Sequence, residues 1–291
     1  MLKWTIGRVS ITPLVEMQVE LPYDESGIIL IREASPAALK DIRWLSPNYV
    51  SEDGLMKIAF QAFLVEAPGI RMIVDTCVGN AKPRETMMTL HTAFLEDLST
   101  AGFGRDAVDI VVCTHLHYDH VGWNTMLEDG DWVPTFPRAR YLLGRKEFDH
   151  FRSTVDAATP DDRRMLADSL LPVIEAGLVD FVDSDHRISP EIRLHPTEGH
   201  TPGHVSVVIE SLGETAVITG DMVHHPCQIA RPDWASFIDF DAAAAASTRR
   251  REFAEWESTG TLVIGTHFSA PTAGRLVRDG DNFRLEGDGR T

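Results

Sequence analysis

The segment Thr114-His115-Leu116-His117-Tyr118-Asp119-His120 packs three imidazoles and one carboxylate into six residues. That density belongs to metal ligation rather than to folding. On extended backbone, side chains two apart point the same way, so His115 and His117 share a face. Asp119 and His120 then require a tight turn. One loop of this kind presents two ligands to one ion and two to a neighbouring ion. Imidazole suits Zn, Fe, Co and Ni, and carboxylate bridges hard or borderline cations. The expected complement is two divalent ions, Zn first, with Fe, Co, Mn and Ni left open.

Three more candidate ligands follow downstream. His200 lies in Glu198-Gly199-His200-Thr201-Pro202-Gly203-His204, Asp221 in Thr219-Gly220-Asp221, and His267 in Gly265-Thr266-His267. Each follows an apolar strand or a glycine turn, where loops carry function and glycine lets the backbone reverse sharply. The set is five histidines and two aspartates, enough for two ions sharing one carboxylate. His204 is expected to support rather than ligate. Asp75 and Thr114 are expected to hold the loops. His91, His150, His186 and His195 have no motif context.

These residues need strands to carry them. Ile58 to Val65 and Ile70 to Asp75 read as a hairpin across Ala67-Pro68-Gly69. Val108 to Cys113 reads as a buried strand that delivers the His loop. Further strands are expected at 141–143, 178–182, 192–195, 205–209, 215–219 and 261–265. Helices are expected at about 86–100, at 145–176 with a break near Thr159-Pro160, and at 241–258, where Ala242 to Ala246 favours helix. Residues 1–50, rich in proline, read as an irregular N-terminal extension on the body or a partner chain. Residues 51–291 then form one domain with a helical insert at about 145–176. Strands in two groups, each followed by helices, imply a layered α/β architecture.

Composition narrows the function. Twenty-seven Lys and Arg face 44 Asp and Glu, a net charge of −17. Such a surface repels nucleic acid and anionic membranes. No apolar run reaches the length of a membrane span, and Met1-Leu2-Lys3-Trp4 does not open a signal peptide. Cys77, Cys113 and Cys227 are odd in number and widely spaced, so a reducing cytoplasmic setting is expected. Cys113 is expected in the core, and Cys227 is a candidate pocket residue.

The His-x-His-x-Asp-His loop with His200, Asp221 and His267 resembles the metallo-β-lactamase superfamily over roughly residues 55–270. Ile73-Val74-Asp75-Thr76 resembles its early Asp-Thr-Gly turn, with Cys77 in the glycine's place. The resemblance implies a four-layer αββα sandwich. It implies His115, His117 and His200 on one ion, Asp119, His120 and His267 on the other, and Asp221 bridging. The stretches 114–124 and 219–226 look most like the acyl-homoserine lactonases and related organophosphate hydrolases. Those lactonases usually carry Tyr three residues after the bridging Asp, where this chain has His224.

The implied chemistry is hydrolysis of a small lactone or carboxylic ester by a hydroxide shared between two ions. Asp119 would orient it or shuttle the proton, and His224 would donate to the developing oxyanion. Trp123, His224 and Phe268 are the candidate substrate contacts. Trp123 and Phe268 have core packing as the equal alternative, and His224 and His225 divide evenly between pocket and surface. Trp234 and Phe237 read as a lid or as core. A homodimer is the oligomer to test. An organophosphate triesterase is the alternative reaction. A mononuclear-iron oxidoreductase resembling the persulfide dioxygenases is the alternative of another class.

Overall fold

The computed structural model describes residues 2–23, 29–154 and 159–287. The chain divides into two compact units, one built from Lys3–Met17 and Phe60–His186, the other from Gln18–Ala59 and the chain from Arg187 onward. The first 50 residues are not irregular. They contain strands β1 (Trp4–Ile6) and β2 (Val9–Leu21) and a short helix α1 (Pro36–Asp41). Trp4, Ile6, Val9 and Ile11 alternate inward, a period-2 pattern that the prolines at 13 and 22 obscure. Residues 24–28 of that stretch lie outside the described residues.

The first unit carries β3 (Met56–Ala67) from Phe60 onward, β4 (Ile70–Val74), β5 (Ile110–Cys113), β6 (Thr125–Glu128), β7 (Asp131–Pro134), β8 (Arg140–Gly144) and β9 (Val179–Val182). Its seven-stranded sheet has the order β1-β2-β3-β4-β5-β8-β9. β3 and β4 form an antiparallel hairpin, and β4, β5, β8 and β9 run parallel. Parallel strands are covered on both faces and so read as unbroken apolar runs. Met72–Val74 and Val111–Cys113 are such runs, all buried. Ligands in open α/β sheets gather at the carboxyl ends of parallel strands. Asp75 follows β4 there, and Thr114 follows β5.

Helices α2 (Phe94–Thr100), α3 (Tyr118–Val121), α4 (Arg145–Thr154), α5 (Pro160–Met165) and α6 (Leu171–Glu175) also belong to this unit, with a π-helical turn at Leu166–Leu170. The helix expected at 86–100 starts only at Phe94. The Asn80 side chain donates to the Thr92 carbonyl at 2.9 Å and accepts from the Thr92 N–H at 2.7 Å, which holds the preceding segment out of helix. Leu90, Phe94 and Leu98 of the expected apolar spacing are buried, but only Phe94 and Leu98 lie on a helix. The break near 159 is a helix start: Thr159 and Asp162 form a capping box ahead of Pro160. Residues 155–158 of the expected helical stretch lie outside the described residues.

The second unit carries β10 (Ile192–Pro196), β11 (Val205–Ser211), β12 (Glu214–Ile218), β13 (Leu262–Ile264), β14 (Ala273–Asp279) and β15 (Asn282–Glu286), paired in that order. Among these six strands only β12 and β13 pair in parallel. Asp221 and His267 therefore leave the same end of two adjacent strands. The helices are α7 (Cys227–Ala230) and α8 (Ala242–Thr259). α8 starts where the Asp241 carboxylate accepts the Ala244 N–H at 2.9 Å, and it stops at Gly260 with φ 63°. Phe253 and Trp256 on α8 are buried in an apolar cluster with Val217, Val263 and Phe268. No helix among the described residues is long and apolar enough to cross a membrane.

Candidate metal centre

The first unit holds its four donors on the loop after β5, and Asp75 organises that loop. Asp75 sits at φ 58°, a conformation Asp tolerates better than most residues. Its Oδ1 accepts the Thr114 N–H at 2.8 Å and its Oδ2 accepts the Thr114 hydroxyl at 2.9 Å. The same Oδ2 lies 2.9 Å from His120 Nδ1. Because the Thr114 hydroxyl donates to Asp75, its oxygen is left to accept from His115 Nδ1, 3.1 Å away. His115 and His120 thus carry their protons on Nδ1 and keep Nε2 as a lone-pair donor.

The free face of His115 meets its neighbour. His115 Nε2 lies 3.0 Å from His117 Nδ1, a spacing that suits two imidazoles sharing an ion at about 2.0–2.1 Å from each nitrogen. Asp119 Oδ2 stands 3.7 Å from His120 Nε2. The buried Glu147 carboxylate on α4 accepts the Leu116 N–H at 3.1 Å and pins the loop between the two histidines. Gly122 closes it: a side chain there would overlap the Val78 backbone, so the turn admits only glycine.

The second unit assembles its donors around Asp221. His200 Nε2 lies 3.5 Å from Asp221 Oδ2, and His267 Nε2 lies 3.1 Å from Asp221 Oδ1. The far nitrogen of each ring is tied down. His267 Nδ1 donates to the Ala59 carbonyl at 2.9 Å, and His200 Nδ1 faces Asp239 Oδ1 at 3.1 Å. Burial opposes ionisation of Asp239, but the His200 hydrogen bond and the nearby His224 and Arg249 charges outweigh it and hold its carboxyl below the usual range. His204 is fully buried and supports the loop: its Nε2 accepts the Asp221 N–H at 2.8 Å and its Nδ1 lies 2.9 Å from the Thr197 hydroxyl. Gly199, at φ 134°, lies so close to Ala245 that only glycine fits.

His224 is 2% exposed, with its Nε2 3.4 Å from Asp221 Oδ2. Neither ring nitrogen has a hydrogen-bond partner among the described residues. Its backbone is held by the Gln228 side chain at 2.7 Å. His200, His224 and Asp239 form one group of donor atoms within reach of a single cation. His225 points elsewhere. Its Nε2 donates to the Tyr49 carbonyl at 2.8 Å, its Nδ1 accepts the Cys227 N–H at 3.1 Å, and burial pushes its pKa down to about 4. It is a neutral core residue, not a surface one.

The aromatic candidates are buried. Trp123 stacks on Phe94 of α2 at 5.1 Å and 11°, and its indole N–H donates to Glu16 at 2.6 Å. Phe268 is fully buried against Tyr49. Trp234 packs partly buried on the same cluster, whereas Phe237 is 56% exposed. Cys227 lies in that cluster too, as a core residue with its thiol pushed up by burial. A cavity of about 430 Å³ beneath α8 is lined by His195, Glu252 and Trp256 and by none of the ligand candidates. Asp239, Glu16, Glu147 and Gln228 carried no local sequence signal. Each acts across a long sequence gap or through a backbone group that spacing does not reveal.

The sequence profile described as "Metallo-beta-lactamase superfamily" matches residues 61–254. The chain belongs to the metallo-beta-lactamase superfamily. The superfamily fold is shared with solved structures across nearly the whole chain. "Crystal structure of hydrolase AbOPH in beta lactamase superfamily" aligns at a TM-score of 0.80 and 22% identity, covering 98% of this chain and 96% of the other. "AidC, a Dizinc Quorum-Quenching Lactonase, in complex with a product N-hexnoyl-L-homoserine" aligns at 0.80 and 20%, covering 99% and 97%. An N-acyl homoserine lactonase of Bacillus sp is 26% identical over 124 residues, 43% of this chain and 42% of that protein. The aligned stretch thus spans less than half of that superfamily relative's length. The donor set fits divalent ions: imidazole nitrogens locked by acceptors behind them, and a carboxylate flanked by two of those rings.

Proposed function

We propose that this chain is a dinuclear metal-dependent hydrolase that opens a lactone or a related carboxylic ester. The observation that carries the reading is Asp221. One of its oxygens faces His200 Nε2 and the other faces His267 Nε2, the arrangement of a carboxylate that serves two ions at once. His115, His117 and His200 would hold one ion, Asp119, His120 and His267 the other, with Asp221 common to both. Two bound divalent ions supply Lewis acidity and a water made nucleophilic near neutral pH.

The chain's own residues do the rest. Asp75, Asp239 and the Ala59 carbonyl fix the imidazole tautomers, so each ring is a donor before any ion arrives. Asp119, only partly buried, orients the attacking water and takes its proton. His224, buried and with no hydrogen bond at either ring nitrogen among the described residues, donates to the oxyanion that forms at the substrate carbonyl. The lactonase names among the relatives support a lactone over other esters.

Parallel assays test the reading: an acyl-homoserine lactone, a simple aryl ester and a neutral organophosphate, each with zinc-loaded protein. Lactone opening that exceeds the other two is expected. Turnover of the organophosphate alone would shift the reading to a triesterase. Turnover of none, with metal bound, would contradict the proposal.

A further inference from the structure

Arg249 is fully buried on α8 and hydrogen-bonds to backbone carbonyls rather than to the side chains of the seven ligand candidates. Its guanidinium nevertheless reaches the backing of two of them. Nε donates to the Pro232 carbonyl at 2.7 Å, Nη2 to the Trp234 carbonyl at 3.2 Å and Nη1 to the Met222 carbonyl at 3.4 Å. Nη1 also lies 3.6 Å from Asp239 Oδ2. Met222 adjoins Asp221. Asp239 holds His200 Nδ1 through its other oxygen, and its Oδ2 accepts the Ser236 N–H at 3.0 Å. The 240–241 backbone is zipped to the His200 turn, Phe240 N–H to the His200 carbonyl and Asp241 N–H to the Gly199 carbonyl, both at 2.9 Å.

A buried guanidinium loses solvation that only well-made partners can offset. A core position filled by Leu or Met would need none. The planar fork of Arg instead spreads donors over three carbonyls and one carboxylate, which a Lys ammonium cannot copy. We propose that Arg249 and Asp239 are positioning residues that couple the His200 and Asp221 ligands. Arg249 fixes Asp239, Asp239 fixes the His200 ring with its proton on Nδ1, and the Met222 contact sets the Asp221 turn. Together they tune metal affinity from behind the site. The inference rests on the reading that His200 and Asp221 hold metal.

Competition between the zinc-loaded protein and a chromophoric chelator tests it, with melting temperature measured alongside. Asp239→Asn keeps the shape and removes the charge, and Arg249→Lys keeps the charge and removes the fork. Each is expected to weaken zinc binding on the order of 10- to 100-fold while the melting temperature of the chelated protein moves by only a few degrees. Asp239→Glu should recover part of the affinity. His200→Ala is the control for the underlying reading. If it too leaves zinc affinity unchanged, His200 is not a ligand and the functional reading fails with it. If His200→Ala weakens binding while Asp239→Asn and Arg249→Lys match the parent within twofold, the coupling alone is overturned. A loss of zinc that only follows loss of folding overturns it equally.

Discussion

Asp75 Oδ2 lies 2.9 Å from His120 Nδ1 while the same carboxylate accepts both the backbone N–H and the hydroxyl of Thr114. One side chain at the end of β4 thus sets the register of the whole ligand loop after β5. Asp75→Asn keeps the left-handed backbone but cannot accept at every one of these contacts. Its amide NH2 must face one of the donors. The variant is expected to bind metal on the order of 10- to 100-fold more weakly, with the affinity and the number of ions bound both reduced, because Asp75 backs His115 through Thr114 and His120 directly. Calorimetric zinc titration reads both quantities.

Trp123 and Glu16 give a stability prediction. The indole donates to a carboxylate that also accepts from the Val78 and Gly79 backbone. Burial pushes the Glu16 pKa up despite these bonds. Trp123→Phe preserves the stack on Phe94 and removes the donor. It should cost roughly 1.5–3 kcal/mol in denaturant unfolding. KM should remain at the parent value, because the ring packs on α2. A raised KM without a stability loss would return Trp123 to the substrate pocket.

Lys82 predicts a pH dependence. Its ammonium is fully buried, donates to the Thr125 hydroxyl at 2.7 Å and the Asp168 carbonyl at 2.9 Å, and lies 3.8 Å over the Trp132 ring. Burial, opposed by Asp168 and aided by Arg84, lowers its pKa from 10.5 to about 7. The folded chain releases this proton near pH 7, whereas the unfolded chain keeps it until about pH 10.5. The unfolded state therefore holds more protons across that window, and stability rises with pH from about 7 to 10.5. The rise is on the order of a few kcal/mol. Urea unfolding of Lys82→Met should lack that rising limb. A parallel pH profile in parent and variant would show that Lys82 is charged throughout.

Metal removal should act on stability and turnover together. Ligands that bind only the folded state stabilise it by about 4 kcal/mol at a thousandfold excess over Kd. Chelated protein should melt at a lower temperature and open no lactone, and added zinc should restore both. Turnover that survives complete chelation would contradict a metal-dependent reaction.

Much of this was legible in the sequence because it is local. The His115–His120 loop announces itself by density, the β3–β4 hairpin by two apolar runs across Ala67-Pro68-Gly69, and α8 by the alanine run at 242–246. The lost elements were those whose signal is masked or non-local. β1 and β2 hide behind prolines. The β6–β7 hairpin turns on Asp129-Gly130, both at positive φ, a turn signal overshadowed by the metal loop just before it. Asp239 and Glu16 are ordinary acids until folding brings them to His200 and Trp123. The apolar spacing at Met87 and Leu90 looked helical because spacing does not report the Asn80 side chain that holds Thr92.

On the proposed reading, two ions that share Asp221 would perform lactone hydrolysis. The most direct measurement is stepwise zinc reconstitution of chelated protein, with bound metal and acyl-homoserine lactone turnover followed at each step. The account predicts that activity climbs to a plateau at two ions per chain and that Asp221→Ala reaches neither the second ion nor the plateau. Full activity at one ion per chain, or two bound ions with no lactone opened, would contradict it.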